Sequence, residues 1–185
     1  MPSLLVILVL SLPTIATAAW PNGRQSTWHG YERLDFPLPG DGARCIVVAP
    51  KTPSRNKPWI WRARFWGHQP ALELQLLEQG FHLAYCEVGG LFGAPSAVER
   101  WNKFHALAVR EGLSPRPILE GMSRGGLIII NWASANPDKV AAIYGDNPVC
   151  NFNSWPGGKN GKFSKNCLLY TSDAADERSS VDLGG

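Results

Sequence analysis

The sequence predicts an α/β fold: a mostly parallel sheet covered by helices on both faces and opened by an antiparallel hairpin. Three observations lead there. Short runs rich in β-branched and aromatic residues alternate with helix-length segments along the chain, and parallel strands need such crossovers. Two early runs flank Pro39-Gly40-Asp41-Gly42, which reads as a hairpin turn. The stretch from Pro117 to Trp132, P-I-L-E-G-M-S-R-G-G-L-I-I-I-N-W, passes from a strand-like run through a glycine-flanked serine into an apolar segment of helical length.

The first 18 residues are set apart. An apolar block from Leu4 to Leu12 is followed by Pro13 and the small residues Ala16-Thr17-Ala18, the pattern of a secretory signal cut after Ala18. Spanning a bilayer takes about 20 apolar residues, so the block is too short to be a stable anchor. The expectation is a secreted or periplasmic protein.

From there the chain reads in order. Trp20 to Trp28 is polar, with Pro21 and Gly23, and is expected to be a loose lead-in. Tyr31 to Phe36 alternates and predicts a strand, with Ala43 to Ala49 returning beside it. Trp59 to Phe65, aromatic and β-branched, predicts the next strand. Pro70 suits a first helical turn; Ala71 to Gln79 places Leu72, Leu76 and Gln79 at helical spacing, and Gly80 stops it. Phe81 to Val88 reads as a buried strand, and Gly89 to Pro95 as a glycine-rich loop. Ser96-Ala97-Val98-Glu99 has the form of a capping box. The helix it opens is expected to run to about Glu111, turning Trp101, His105, Leu107 and Ala108 toward the sheet. The serine-bearing strand and helix follow. Asn136-Pro137 ends that helix, and Val140 to Tyr144 makes one more strand before Gly145-Asp146-Asn147-Pro148.

The chemistry-bearing motif is Gly121-Met122-Ser123-Arg124-Gly125, G-x-S-x-G in a strand–turn–helix setting. A serine at the tip of such a turn sits in a strained conformation, and bulky neighbours two residues away on either side would collide. The two glycines leave the hydroxyl free at the carboxyl edge of the sheet. The amide of Arg124, opening the helix, then points to where an oxyanion would form.

Other chemistries are poorly supported. The net charge is +3, without a Lys/Arg-rich run, which argues against nucleic acid as a partner. No C-x-x-C occurs, and His29, His68, His82 and His105 are scattered, so neither a metal nor a cofactor is expected. Cys45 and Cys86 fall in apolar strand-like runs, where buried free thiols are ordinary. Oligomeric state is not legible.

The phrases W-H-G-Y-E-R-L-D-F, P-W-I-W-R-A-R-F-W-G-H, E-Q-G-F-H-L-A-Y-C-E-V, L-E-G-M-S-R-G-G and I-Y-G-D-N-P-V-C resemble an exported bacterial branch of the α/β-hydrolase superfamily, near its prolyl-oligopeptidase-like and acyl-esterase groups. The resemblance covers Trp28 to about Lys162 and implies the N-terminal portion of that fold. It places Ser123 as nucleophile and the Arg124 amide as one oxyanion donor. The second donor would be the backbone at Phe65 or Trp66, where the usual H-G pattern is missing. His68, in the same loop, would touch substrate. Asp146 stands where a few members carry the catalytic acid; otherwise it caps or holds a loop. The family order is serine, acid, histidine, and no histidine follows Ser123. His82 and His105 are read as packing residues.

The far end is unlike the rest. Cys167 to Glu177 resembles the translation of a transposase-type sequencing adapter, and Val181 to Gly185 its flow-cell end. Residues 167–185 are therefore read as a non-native tail and 19–166 as a partial domain. The expected activity is serine hydrolysis through an acyl-enzyme, on a small-molecule or polysaccharide ester, with this copy inactive for want of its histidine. Two alternatives stay open: a serine peptidase of the oligopeptidase-like group, and a non-catalytic carbohydrate-binding module using Trp59, Trp61, Trp66 and Trp155.

Overall fold

A computed structural model describes residues 20–150. The expected signal segment, the tail from Cys167 and Trp155 lie outside the described residues. Within them seven strands form one sheet: β1 (Arg24–Trp28), β2 (Tyr31–Pro37), β3 (Arg44–Ala49), β4 (Trp59–Arg62), β5 (His82–Cys86), β6 (Ile118–Met122) and β7 (Ala142–Asp146). Their order across the sheet is β1-β2-β3-β5-β4-β6-β7. The first three strands and β5 pair antiparallel; β5, β4, β6 and β7 run parallel.

Strand alternation decides what each face buries. Cys45, Val47, Trp59, Trp61, Ala84, Cys86 and Leu119 belong to one core, under α2 (Pro95–Arg110) and α3 (Gly125–Ala135). Ile46, Val48, Ile60, Leu83 and Tyr85 form the other, under α1 (Ala71–Glu78). The larger core is aromatic: Trp61 stacks on Trp101 at 3.9 Å between ring centroids and meets Trp132 edge-on at 5.3 Å. Trp59 and Trp61 are 1% and 0% exposed, so neither can stack on a sugar. Trp66 packs on Trp28 and Tyr85. The binding-module alternative loses Trp59 and Trp61; Trp66 is half-buried.

Three expectations are corrected. The lead-in before Tyr31 is not loose: Arg24–Trp28 pairs with Tyr31–Asp35, through a two-residue turn in which His29 and Gly30 both have positive φ (49° and 80°). That is the primed turn whose twist suits a hairpin. The expected capping box does not form. Helix α2 starts at Pro95 behind Ala94, with no side-chain cap, so Ser96 and Glu99 lie inside it; Pro at N1 needs no amide partner, and the first turn closes without the serine. Strand β4 ends at Arg62. The next residues turn away because the buried Arg62 side chain captures their carbonyls.

Candidate active site

Ser123 stands between the end of β6 and the start of α3 with φ +47°. A non-glycine residue in the left-handed region costs on the order of 1–2 kcal/mol, so the surroundings must fix it. They do so through the backbone. The Ser123 amide donates to the Asp146 carbonyl at 3.0 Å, and its own carbonyl accepts from the amides of Gly126 (3.0 Å) and Val149 (2.8 Å). The flanking glycines sit in crowded places. A Cβ at Gly121 would overlap the Ile129 side chain, and one at Gly125 would come 3.2 Å from the Ala63 methyl. Gly126, which the motif does not include, is more tightly constrained: a Cβ there would come 2.5 Å from the Val149 carbonyl oxygen and 2.7 Å from Pro148.

The carboxyl ends of the parallel strands gather further strained residues at one edge. Phe65 after β4 (φ +53°), Phe92 after β5 (+48°) and Asn147 after β7 (+43°) share the left-handed conformation of Ser123. In open α/β sheets this edge is where ligands bind, and backbone strain clusters at such places.

Residue 124 begins α3 in helical conformation (φ −61°, ψ −15°). Its guanidinium carbon lies 5.6 Å from the Phe65 ring centroid, and that of Arg64 lies 5.2 Å from the same ring. The turn between β6 and α3 and the loop after β4 therefore touch, and two positive groups flank Phe65. Burial lowers the Arg64 pKa, and the nearby Arg124 charge adds to the shift. The Phe65 carbonyl is engaged by Arg62 Nε (3.1 Å) and the His68 amide (3.0 Å). The amides of Phe65 and Trp66 make no hydrogen bond among the described residues.

Sequence reasoning missed the residue that builds this loop. Arg62, 1% exposed, donates from Nε to the carbonyls of Arg64 (3.0 Å) and Phe65 and from Nη2 to that of His68 (2.6 Å). Its Nη1 meets Glu73 of α1 and Glu120 of β6, the latter at 2.9 Å. One guanidinium thus ties the loop to α1 and to the strand carrying Ser123. Two carboxylates against one cation leave surplus negative charge in a dry place. Burial pushes the Glu120 carboxyl above its ordinary value; Arg62 opposes this, and Asp146 adds to it. Glu120 Oε2 and Glu73 Oε2 are buried without a hydrogen-bond partner among the described residues.

Asp146 ends β7 opposite Met122. Its carboxylate accepts from Asn147 Nδ2 at 3.2 Å and lines a groove on the α1 side with Met122, Glu120, Tyr144, Pro70 and Leu72. Among the described residues it is the main-chain carbonyl of Asp146, not the carboxylate, that meets Ser123. The four histidines divide by position. His82 opens β5 level with Trp59, and His105 packs against Trp59 and Trp132 with Nε2 2.9 Å from the Pro115 carbonyl. Both are at the amino edge of the sheet, roughly 15 Å or more from Ser123 at about 3.3 Å per strand residue. His29 lies in the first hairpin turn. Among the described residues His68, exposed in the loop after β4, is the histidine on the serine's edge.

No family model and no curated protein sequence matches the chain. Solved structures do. A cold-adapted esterase from an Arctic intertidal metagenomic library superposes in its polyethylene-glycol-bound form with TM-score 0.52 at 10% identity, over 67% of this chain and 64% of that one. Its native form gives 0.52 at 12% identity, over 67% and 62%. This chain therefore spans less than two thirds of either. An alpha/beta hydrolase from Novosphingobium aromaticivorans, at 21% identity over 62% and 43%, superposes more loosely, with TM-score 0.44.

Proposed function

We propose that this chain, which has the α/β-hydrolase fold over its described part, carries the nucleophile half of a serine hydrolase centre, and that the reaction is carboxylic-ester hydrolysis through an acyl-Ser123. The observation that supports it best is Ser123 at φ +47° between β6 and α3, held by three backbone hydrogen bonds and flanked by glycines at which a Cβ would crowd Ile129 and Ala63. Serine Oγ attacks the ester carbonyl carbon, and the carbonyl oxygen takes up negative charge. The Arg124 amide and that of Phe65 or Trp66 receive it, and the guanidiniums of Arg64 and Arg124 add positive potential. The C–O bond to the leaving alcohol then breaks, leaving the acyl group on Ser123 for water to remove. The esterase named among the structural neighbours favours ester over amide. Export to a compartment holding polysaccharide esters is part of the same reading.

The hydroxyl proton must go to a base. The sequence has no histidine after Ser123, and His82 and His105 lie at the wrong edge. His68, on the right edge, makes no hydrogen bond to Ser123 among the described residues. On this reading the 185-residue chain is expected to be slow by itself. That makes the test a rescue. With a p-nitrophenyl ester as substrate and imidazole supplied in solution, the rate should rise with imidazole above the imidazole-only background, and Ser123→Ala should abolish the rise. Equal rates for the chain and the Ser123→Ala variant at every imidazole concentration would refute the reading.

A further inference from the structure

Cys45 and Cys86 face each other directly across the seam where the antiparallel half of the sheet (β1-β2-β3) joins the parallel half (β5-β4-β6-β7). Pairing type follows from the hydrogen bonds. The Glu87 amide donates to the Arg44 carbonyl at 2.9 Å, so Arg44 and Glu87 form a hydrogen-bonded pair. Antiparallel pairs alternate, and Cys45 and Cys86, one step inward, form a non-hydrogen-bonded pair. Such partners stand about 4.5 Å apart at Cα with their side chains close, inside the roughly 4.4–6.8 Å that a disulfide spans. Both thiols are free, 0% exposed and part of one core cluster. The neighbouring Cys45 thiol, then burial, raises the Cys86 pKa, and the Cys45 thiol donates to the Ala43 carbonyl at 3.6 Å.

We infer that Cys45 and Cys86 are a dithiol site that closes into a cross-strand disulfide, fastening the N-terminal hairpin to the parallel sheet. The co-reactant is a disulfide, either of a small thiol or of a protein oxidant. One cysteine thiolate attacks that disulfide and expels one of its thiolates, giving a mixed disulfide. The second cysteine thiolate attacks the sulfur bonded to the first, forms the Cys45–Cys86 bond and expels the other thiolate. Two protons leave the cysteines, and the electron pair ends on the co-reactant, now two thiols. With both sulfurs fully buried, exchange occurs while β3 and β5 are still closing. The bond would enclose the chain from Cys45 to Cys86, including β4 and α1, and restrict the unfolded state accordingly.

The test uses the 185-residue chain refolded from denaturant in a buffer of oxidised and reduced glutathione, then unfolded in iodoacetamide and mapped by mass spectrometry. The expected product is a Cys45 peptide joined to a Cys86 peptide, with Cys150 and Cys167 alkylated. Its Tm should fall by on the order of 5–10 °C on reduction. A chain without native pairing favours the shorter Cys150–Cys167 loop, so that product, scrambled pairs or four alkylated cysteines would overturn the inference. A register control separates geometry from mere proximity. In a double variant, Cys86→Ala with Ala84→Cys, the new thiol is diagonal to Cys45, about 7–8 Å away. The cross-link should be lost; an equal yield would also count against the site.

Discussion

Three single-residue features carry the site, and each makes its own claim. If Ser123 is held in the left-handed region by its neighbours, glycine should fit there better than alanine. Ser123→Gly is expected to be more stable than Ser123→Ala by about 1 kcal/mol in denaturant melts; the reverse order would show that the bend is relaxed. Gly121→Val should destabilise by roughly 1–3 kcal/mol, because its side chain would occupy the space of Ile129. Glu120 makes a pH claim. Its folded pKa is raised above the ordinary 4.5, first by burial, so the native state holds the proton more tightly than the unfolded chain. Its stabilising contribution is intact below pH 4.5 and is lost as pH rises through the folded value. Glu120→Gln keeps an acceptor for Arg62 and removes the ionisation, so its stability should fall less than the parent's over that window. Equal slopes would mean that Glu120 ionises freely.

Between elements, the organising contact is Arg62. It joins β4, the loop to His68, α1 and β6 through the hydrogen bonds of one side chain. Removing the cation strands two buried carboxylates. Arg62→Met is expected to cost on the order of 3–5 kcal/mol and to release the backbone from Arg64 to His68, seen as faster amide exchange there than in α2. This contact was not legible in the sequence, since Glu120 lies 58 residues from Arg62 and nothing local marks the pair. What was legible is what local chemistry decides. The Gly121–Gly125 frame announced the bend at Ser123, because Ile129 and Ala63 approach closely enough there to crowd a side chain. The strand runs at Tyr31, Ala43, Trp59 and Phe81 were visible because each carries buried apolar residues. Strand β1 was missed because R-Q-S-T-W has no apolar alternation, being exposed along most of its length; only His29-Gly30 hinted at the turn. The capping pattern at Ser96 misled because Pro95 had already begun the helix. The backbone bend was legible at Ser123 and Arg124, where sequence neighbours build it, and the loop at Phe65 was not, because a distant guanidinium shapes it.

For the whole molecule, two consequences concern the edge and the acid limb. Strand β7 ends the described sheet, with Ile143 46% and Tyr144 45% exposed. An apolar edge of this kind invites strand pairing between copies. Ile143→Lys should lower the apparent mass in light scattering at high protein concentration, whereas an unchanged mass would place self-association elsewhere. His82 contributes to acid stability. Burial, with Lys57 second, holds its pKa at about 4 against an ordinary 6.5. Its contribution is therefore present above pH 6.5 and is lost as pH falls through about 4. His82→Gln should flatten the stability curve in that window.

The central claim is that one hydroxyl, Ser123, is presented for attack at the carboxyl edge of the sheet. The most direct measurement is fluorophosphonate labelling of the folded chain, with imidazole present, followed by peptide mapping. The account predicts an adduct on the Ser123 peptide well ahead of any other serine, and its loss in Ser123→Ala with an unchanged circular dichroism spectrum. Label spread evenly over the serines, or undiminished in Ser123→Ala, would contradict it.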